Sequence, residues 1–225
     1  MFLRDGNKVV VNARNKERLI DSFEGEKDAL PISSDLSDPD RAKSFLNDAV
    51  NKLGSLDVLV CNIGSGKSVP PGGENFVEWQ RVFSQNFWAT TNAVEHAIPF
   101  LEETRGNIIC ISSICGAQVV KGAPVTYSCA KAALNAFVRG MARPLGERSI
   151  RINAIAPGNI LFKGSSWETK LIEEKQNVED LLDREVAQKR LGAPSDITGL
   201  VNYLSSPAAG FITGAVYSLD GGQLR

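Results

Sequence analysis

Short apolar runs rich in β-branched residues recur along the chain, with longer segments of helical periodicity between them. The five runs are VVVN at 9–12, LDVLVCN at 56–62, NIICIS at 107–112, IRINAIA at 150–156 and AVYSLD at 215–220. Strands that are apolar on both faces and alternate with helices are typical of a parallel sheet covered on both sides. The pattern predicts one α/β domain over residues 1–225, because no repeat or linker divides the chain.

The segment SDPDRAKSFLNDAVNKLG at 37–54 carries signals for a helix that lies on this sheet. Ser37 or Asp38 is the candidate N-cap, and Gly54 is the candidate C-terminal stop. The apolar positions at helical spacing are Ala42, Phe45, Leu46, Ala49, Val50 and Leu53. At the start of the chain, MFLRDG resembles the last turn of a helix that ends at Gly6 in the left-handed conformation.

Two further helical segments, at about 77–101 and 127–145, are apolar on more than one face. Helices of this kind usually pack against both a sheet and a second partner, and a copy of the same chain is a natural candidate. We therefore expect a homodimer or a homotetramer.

Residues 158–190 form a polar, charged insertion after a strand end. In α/β folds a long excursion at such a place commonly determines substrate specificity, so we expect a substrate loop here. The alternative is a solvated pair of helices with no role in ligand binding.

The charge balance excludes several kinds of partner. The chain has 25 basic and 26 acidic residues, so no overall positive field attracts nucleic acid or anionic lipid. No apolar run approaches the ~18 residues that a membrane helix needs, and charges occur throughout the first twenty residues. We expect a cytoplasmic protein that binds neither nucleic acid nor a membrane.

The cysteines and the histidine offer little chemistry. The four cysteines have small or apolar neighbours and form no C-x-x-C pair, which indicates buried free thiols rather than disulfides or zinc ligands. The single histidine, His96, lies inside a helical pattern, and a histidine nucleophile relay or metal site would depend on it alone. We predict a structural or surface role for His96 and no metal site.

The pair Tyr127 and Lys131, in TYSCAKAAL, stands at i and i+4 at the start of a predicted helix, so both side chains project from one face. A tyrosine hydroxyl with a pKa of ~10 is a poor acid at neutral pH, but a nearby ammonium stabilises the phenolate and lowers that pKa. Such a pair can move a proton.

Other polar residues follow the apolar runs. Ser112 and Ser113 stand at the carboxyl end of a predicted strand, where open α/β sheets hold ligands and where a hydroxyl can stabilise developing charge on a carbonyl oxygen. CNIG at 61–64, SQNFWAT around Asn86, APGNI at 156–160 and ITGAVYSLDGG near the C-terminus complete an ordered set.

This set resembles the motifs of the short-chain dehydrogenase/reductase family, from about Leu3 to the end of the chain. The resemblance implies a Rossmann-like doubly wound parallel sheet and an oxidoreductase that interconverts a small-molecule carbonyl and an alcohol. Ser113 resembles the serine that polarises the carbonyl, and Tyr127 the proton donor or acceptor. Lys131 would lower the pKa of Tyr127 and bind the nicotinamide ribose, and Asn86 would hold a water of the proton relay through its helix.

The same resemblance implies a set of cofactor-binding residues besides Tyr127 and Lys131. Asn62 and Gly64 match the family's Asn-Asn-Ala-Gly turn, although Cys61 and Ile63 depart from it. Pro157 and Gly158 match the turn that passes the nicotinamide. Asp35 resembles the aspartate that contacts the adenine ring, and Leu36 is assigned to the cofactor site with it.

Arg14, at the end of the first strand, bears on the choice of cofactor. The family places there either an acidic residue that binds the ribose hydroxyls or a basic residue that pairs with the extra phosphate of NADP. A guanidinium binds phosphate through two charge-assisted hydrogen bonds, which favours NADP, with NAD as the alternative. Without a cofactor role, Arg14 is an exposed cation at a helix start.

The family's first strand and its Gly-rich turn, which holds the pyrophosphate at a helix N-terminus, have no counterpart in this sequence. We therefore expect an N-terminally truncated form of the fold, without the first central strand and most of the first helix. Met1 is then an internal methionine of a longer coding sequence, or the sheet is rearranged, or a partner chain supplies the strand. The last two explanations predict weak or absent binding of the dinucleotide.

Two functions follow from these expectations. The first is an NADP-dependent carbonyl reductase or alcohol dehydrogenase, with 3-oxoacyl-carrier-protein reductases as the nearest analogy. The second is a catalytically inactive scaffold or oligomerisation subunit without a dinucleotide. The missing turn argues for the second function, and the presence of Asn86, Ser113, Tyr127 and Lys131 argues for the first.

Overall fold

The structure of the chain, a computed structural model, describes residues 1–223. The strands are β1 (Val9–Ala13), β2 (Ala29–Ser33), β3 (Val58–Cys61), β4 (Asn107–Ile111), β5 (Arg151–Pro157) and β6 (Val216–Leu219). The helices are α1 (Lys16–Ser22), α2 (Pro39–Leu53), α3 (Phe76–Phe83), α4 (Ala89–Thr104), α5 (Val125–Gly146), α6 (Ser166–Glu173), α7 (Lys175–Glu185) and α8 (Pro194–Ser205). This alternation of strands and helices confirms the predicted α/β class.

The pairings between these strands are all parallel, as predicted. Strands β3, β4, β5 and β6 form one sheet in that order, and β1 pairs with β2 in a second sheet. Within the described residues no ladder of hydrogen bonds joins β1 to β3. The expectation that a further strand and most of a helix belong before Met1 stays a prediction.

Helices cover both faces of the sheets. On one face Val10 and Ile32 of the small sheet pack into the same apolar cluster as Leu46 of α2 and Leu59 of β3, so α2 links the two sheets. On the other face Leu204 and other residues of α8 form a second cluster, against which Met1 and Phe2 also pack. This two-sided packing is the doubly wound arrangement that the apolar strands predict.

The predicted helix ends are present in α2 and in the first turn of the chain. Asp38, not Ser37, caps α2, because its Oδ1 accepts a hydrogen bond from the Arg41 N–H over 3.0 Å. Gly54 ends the helix with a φ of +88°. Met1 to Gly6 form a single turn that is closed by hydrogen bonds from the Gly6 and Asn7 amides, with Gly6 at a φ of +79°.

The long segment predicted at 77–101 is helical from Phe76 to Thr104, but it includes a π-helical turn at Ser84–Trp88 between α3 and α4. The segment predicted at 127–145 is α5, which starts at Val125 and ends at Gly146. Strand β2 is not among the five apolar runs of the sequence, since Pro31 stands in the middle of it. The missing N–H of Pro31 is tolerated since β2 is an edge strand of its sheet.

Residues 158–190 contain α6 and α7, and Val178 is the buried side chain on these two helices. The prediction of buried free thiols is confirmed for Cys61 and Cys110 and is wrong for Cys129, which is exposed. Within the described residues, no helix is long and apolar enough to span a membrane.

Candidate active site

The carboxyl ends of the parallel strands bring most of the predicted site residues to one edge of the sheets. Because parallel strands end at a common edge, the residues that follow them lie in one row. The row consists of Arg14 after β1, Asp35 and Leu36 after β2, Asn62 and Gly64 after β3, Ser113 after β4, and Pro157 and Gly158 at the end of β5. This edge is where open α/β sheets bind ligands.

Helix α5 carries Tyr127 in its first turn and Lys131 one turn later, on the same face. The Nζ atom of Lys131 lies 5.9 Å from the centroid of the Tyr127 ring and donates a 2.9 Å hydrogen bond to the carbonyl oxygen of Ile111. That carbonyl is at the end of β4, next to Ser112 and Ser113. The structure therefore brings together Ser113, Tyr127 and Lys131, as the sequence predicts.

Close backbone packing fixes α5 against the end of β4. A Cβ atom on Gly116 would lie 2.5 Å from the carbonyl carbon of Lys131, so only glycine allows this approach. The Ser113 hydroxyl accepts a hydrogen bond from the Cys115 N–H over 3.1 Å and thereby caps the short 3₁₀ turn Ile114–Gly116. Ser113 is therefore held in place by the turn that packs on α5.

The pKa of Tyr127 differs from the prediction. Burial raises the pKa of this phenol, while the Ser113 hydroxyl opposes the rise by hydrogen bonding. The pKa of Tyr127 is therefore raised where the sequence predicts a lowering, because burial outweighs the groups that favour the phenolate. The ammonium of Lys131 is directed at the Ile111 carbonyl, and burial lowers its own pKa to about 8.

Asn86 lies in the π-helical turn and is fully buried. Its side-chain amide accepts a hydrogen bond from the Ser65 N–H and donates to the Ser65 carbonyl, over 3.0 and 3.1 Å. Nearby, Gly64 has a φ of +148°, and a Cβ on it would lie 2.5 Å from Oδ1 of Asn86 and 3.3 Å from Nζ of Lys131. The side chain of Asn86 thus holds the loop after β3, a contact that the sequence reasoning did not identify.

The residues predicted to bind the adenosine end lie after β1 and β2. Arg14 is exposed. Burial tends to raise the pKa of Asp35, but hydrogen bonds from Ser37 and, after them, the charge of Arg14 lower it overall. The side chain of Leu36 is buried in the apolar cluster under α2, so it is not available for direct contact with a cofactor. Any contact of Leu36 with a dinucleotide therefore involves its backbone.

Pro157 is buried at the end of β5, and Gly158 lies against Asp220. A Cβ on Gly158 would be 2.9 Å from the Cβ of Asp220. A cavity of about 420 Å³ adjoins this turn, and its lining includes Asn159, Ile160 and Leu219 but none of Ser113, Tyr127 or Lys131. This cavity is therefore separate from the group formed by Ser113, Tyr127 and Lys131.

The residues at this edge fit the ribose and nicotinamide end of a dinucleotide. Lys131 is 3% exposed and has three N–H donors, of which one is used within residues 1–223, by the Ile111 carbonyl. The two remaining donors of a buried ammonium suit a pair of ribose hydroxyls. Gly64, which has no room for a side chain, lies next to the same Nζ.

Four polar side chains beside this site were not identified from the sequence. Ser68, Glu78, Arg81 and Thr126 form a hydrogen-bonded cluster between the loop after β3 and the helices α3 and α5. The i, i+3 spacing of Glu78 and Arg81 was a signal for an ion pair, but their contact with Ser68 depends on the tertiary fold.

Comparisons with known proteins agree with this geometry. A family model described as enoyl-(acyl carrier protein) reductase matches residues 1–223. The chain is 33% identical to a versicolorin reductase of Emericella nidulans, over 98% of this chain and 87% of that protein. It is 30% identical to a 3-oxoacyl-[acyl-carrier-protein] reductase of Thermotoga maritima, over 99% of this chain and 89% of that protein.

Solved structures are similar over nearly the whole chain. The structure of ElxO with NADP bound superposes with a TM-score of 0.88 at 25% identity and covers 98% of this chain and 90% of its own. The structure of a 7α-hydroxysteroid dehydrogenase in complex with NADH and 7-oxo glycochenodeoxycholic acid has a TM-score of 0.85 at 28% identity, over 96% of this chain and 84% of its own.

Proposed function

Because the chain belongs to the short-chain dehydrogenase/reductase family, we propose that it interconverts a small-molecule carbonyl and an alcohol. The observation that carries this proposal is the grouping of Ser113, Tyr127 and Lys131 at the carboxyl edge of the sheet. A bound nicotinamide dinucleotide supplies or accepts the hydride. The residues of the chain transfer the proton and stabilise the negative charge on the substrate oxygen.

In this proposal each catalytic side chain has one task. Tyr127 donates a proton to the carbonyl oxygen during reduction. Its hydroxyl, at the start of α5, lies within hydrogen-bonding reach of Ser113, so both side chains can contact the same oxygen. Ser113 donates a hydrogen bond to that oxygen as negative charge develops on it. Lys131 binds the ribose through its two free N–H donors and stabilises the phenolate that Tyr127 leaves behind.

Asn86 has two proposed contributions to this chemistry. Its side chain keeps the loop after β3 next to Lys131, through Ser65. Through the backbone of its π-helical turn, it would hold a water that returns the proton to Lys131. π-Turns inside helices are frequent at functional sites, which supports this assignment.

We propose NADP as the preferred dinucleotide and NAD as the alternative. Arg14 is exposed at the end of β1 and can bind a phosphate bidentately, and Asp35 stands beside it after β2. Pro157 and Gly158 would contact the nicotinamide, and Asn62 and Gly64 the neighbouring ribose. Related structures contain NADP in one case and NADH in another.

Residues 158–190 are proposed as the substrate loop. Helix α6 buries no side chain and α7 buries only Val178, so these two helices pack loosely on the rest of the domain. The proposed substrate class is a 3-oxoacyl or similar carbonyl compound, which is supported by the relative from Thermotoga maritima. A homodimer or homotetramer is proposed because Phe76 and Trp88 remain exposed along α3 and the π-turn.

The experiment that tests this function has two parts. The first part titrates NADPH and NADH fluorescence with the purified chain. The second part follows the loss of NADPH absorbance with a 3-oxoacyl thioester, a cyclic ketone and a polycyclic ketone. Binding without turnover of any carbonyl contradicts the enzymatic function. The alternative function, a scaffold without a dinucleotide, predicts no fluorescence change with either nucleotide.

A further inference from the structure

The loop between β3 and α3 is tied to two helices by four side chains, which we call the loop clamp: Ser68, Glu78, Arg81 and Thr126. Ser68 Oγ donates a 2.7 Å hydrogen bond to Oε1 of Glu78 and lies 2.6 Å from Oγ1 of Thr126. Arg81 binds the same carboxylate at both oxygens, over 2.6 and 2.8 Å. The clamp therefore connects the loop to α3 and to the start of α5.

The direction of the hydrogen bonds in the clamp follows from the charge of Glu78. Hydrogen bonds from Arg81 and Ser68 lower the pKa of Glu78 to about 2, so the carboxylate is ionised at neutral pH and only accepts. The single hydroxyl proton of Ser68 is donated to Glu78. The proton in the bond between Ser68 and Thr126 must then come from Thr126.

The backbone of the loop is attached to the same carboxylate. The Val69 N–H donates to Glu78, and Nη2 of Arg81 donates to the Lys67 carbonyl over 2.9 Å. Gly66, two residues before Ser68, lies next to the phenol: a Cβ on it would be 4.0 Å from Cζ of Tyr127. The clamp thus determines where the loop passes the reacting side chain.

The clamp also reaches the helix that carries Tyr127. Thr126 directly precedes Tyr127 in the first turn of α5 and is fully buried. The N-terminus of α5 has no side-chain cap, since its N-cap residue is Pro124. The hydrogen bond between Thr126 and Ser68 therefore ties this uncapped first turn to the loop.

We propose that the loop clamp positions the phenol of Tyr127 and residues 65–69 for proton transfer. Ser68, Glu78, Arg81 and Thr126 are positioning residues, because they act through Tyr127 and the loop and do not contact the reacting atoms. This inference rests on the proposed function of Tyr127. It assigns to the clamp an effect on turnover, beyond its effect on folding.

The test compares S68A, which removes the linking hydroxyl, with S68T, which keeps it, and with the near-isosteric T126V. Small displacements of reacting groups cost up to about a hundredfold in rate, so we expect kcat to fall about tenfold or more in S68A and T126V. S68T should restore kcat to within about threefold of the wild type. The double variant S68A/T126V should be no slower than either single variant, because both break the same chain of hydrogen bonds.

Two measurements on the dinucleotide-free protein accompany the kinetics. Hydrogen exchange at the Val69 amide, which donates to Glu78, should accelerate in S68A and T126V. The pKa of the Tyr127 phenol, obtained from ultraviolet titration of each variant against its Y127F partner, should shift. The matched control is E102Q, which breaks the ion pair of Glu102 with Arg148 on α4 and should change neither quantity.

The outcomes separate this inference from the proposed function. If the wild type turns over no carbonyl, the proposed function fails, and the exchange and phenol titrations still decide whether the clamp positions Tyr127. Faster exchange with unchanged kcat and unchanged phenol pKa would make the clamp purely structural and overturn the inference. Unchanged exchange in S68A would also overturn it.

Discussion

Asn86 holds both backbone polar groups of Ser65. Its Oδ1 accepts from the Ser65 N–H over 3.0 Å, and its Nδ2 donates to the Ser65 carbonyl over 3.1 Å and to the Val82 carbonyl over 3.0 Å. One side chain in the π-turn therefore joins the loop after β3 to the helix α3. The geometry of this loop beside Lys131 depends on that amide.

The variant N86A removes all three hydrogen bonds inside a buried site. We expect the free energy of unfolding to fall by about 1 to 3 kcal/mol, because buried backbone groups lose their partners. The control N153A removes an equally buried amide that binds the backbone of Ile212 and Ala215, away from the loop. Urea unfolding should show similar losses for both variants, while only N86A should lose turnover. Equal kcat values in the two variants would contradict the role of Asn86.

The variant Y127F tests the proton transfer itself. Removal of the hydroxyl should lower kcat at least about a hundredfold, the size typical of a lost general acid, while NADPH binding is retained. The matched control Y203F removes a hydroxyl from a half-exposed tyrosine on α8. Turnover by Y127F within tenfold of the wild type would refute the assignment.

The architecture and the grouping on α5 could be predicted because their signals are local. Apolar β-branched runs that alternate with helices are typical of buried parallel strands, and an i, i+4 spacing brings Tyr127 and Lys131 to one face of a helix. The Asp38 cap and the left-handed Gly54 follow from residue types at the helix ends. These features need no knowledge of distant contacts.

The remaining features of the site depend on tertiary contacts. The pKa of Tyr127 was predicted in the wrong direction because burial, and the attraction of Lys131 to the Ile111 carbonyl, cannot be obtained from spacing. The π-turn around Asn86 and the contact of Ser68 with Thr126 join segments that are distant in sequence.

The pair G64A and G72A separates steric conflict from backbone strain. Both glycines have a positive φ, +148° and +92°. In each alanine variant this backbone conformation should therefore lower the free energy of unfolding by about 1 kcal/mol. Only at Gly64 would the new Cβ overlap Asn86, at 2.5 Å, whereas nothing lies within 4 Å at Gly72. Thermal unfolding should therefore show a larger loss for G64A, by about 1 to 3 kcal/mol. Equal losses would mean that the loop moves freely.

The variant R14A tests the choice of cofactor. Removing a bidentate phosphate contact should weaken NADPH binding about tenfold or more and leave NADH binding nearly unchanged. The control R18A removes an exposed arginine one turn into α1. Fluorescence titration with both nucleotides gives the two dissociation constants. A parallel loss of NADH and NADPH affinity in R14A would show that Arg14 does not recognise the extra phosphate.

The variant K131M tests the cost of the buried ammonium. Burial lowers the pKa of Lys131 from 10.5 to about 8, so between these values the unfolded chain binds more protons than the folded chain. The stability of the wild type should then rise with pH over this range, and the penalty should be complete below pH 8. At pH 7 the free energy of unfolding of K131M, which lacks the charge, should exceed that of the wild type by up to about 3 kcal/mol. The loss of the hydrogen bond to the Ile111 carbonyl reduces this gain.

That gain should shrink as the pH approaches 10.5, where lysine is neutral in both states. The exposed control K43M on α2 should show no such gain at either pH. Urea unfolding of the three proteins at neutral and alkaline pH makes the comparison, together with turnover, which K131M should lose. The expected combination of higher stability and lower activity follows because the same buried ammonium that destabilises the fold is the group proposed to bind the ribose and to stabilise the phenolate. A K131M protein that is less stable than the wild type at pH 7 would show that the bond to Ile111 outweighs the cost of burial.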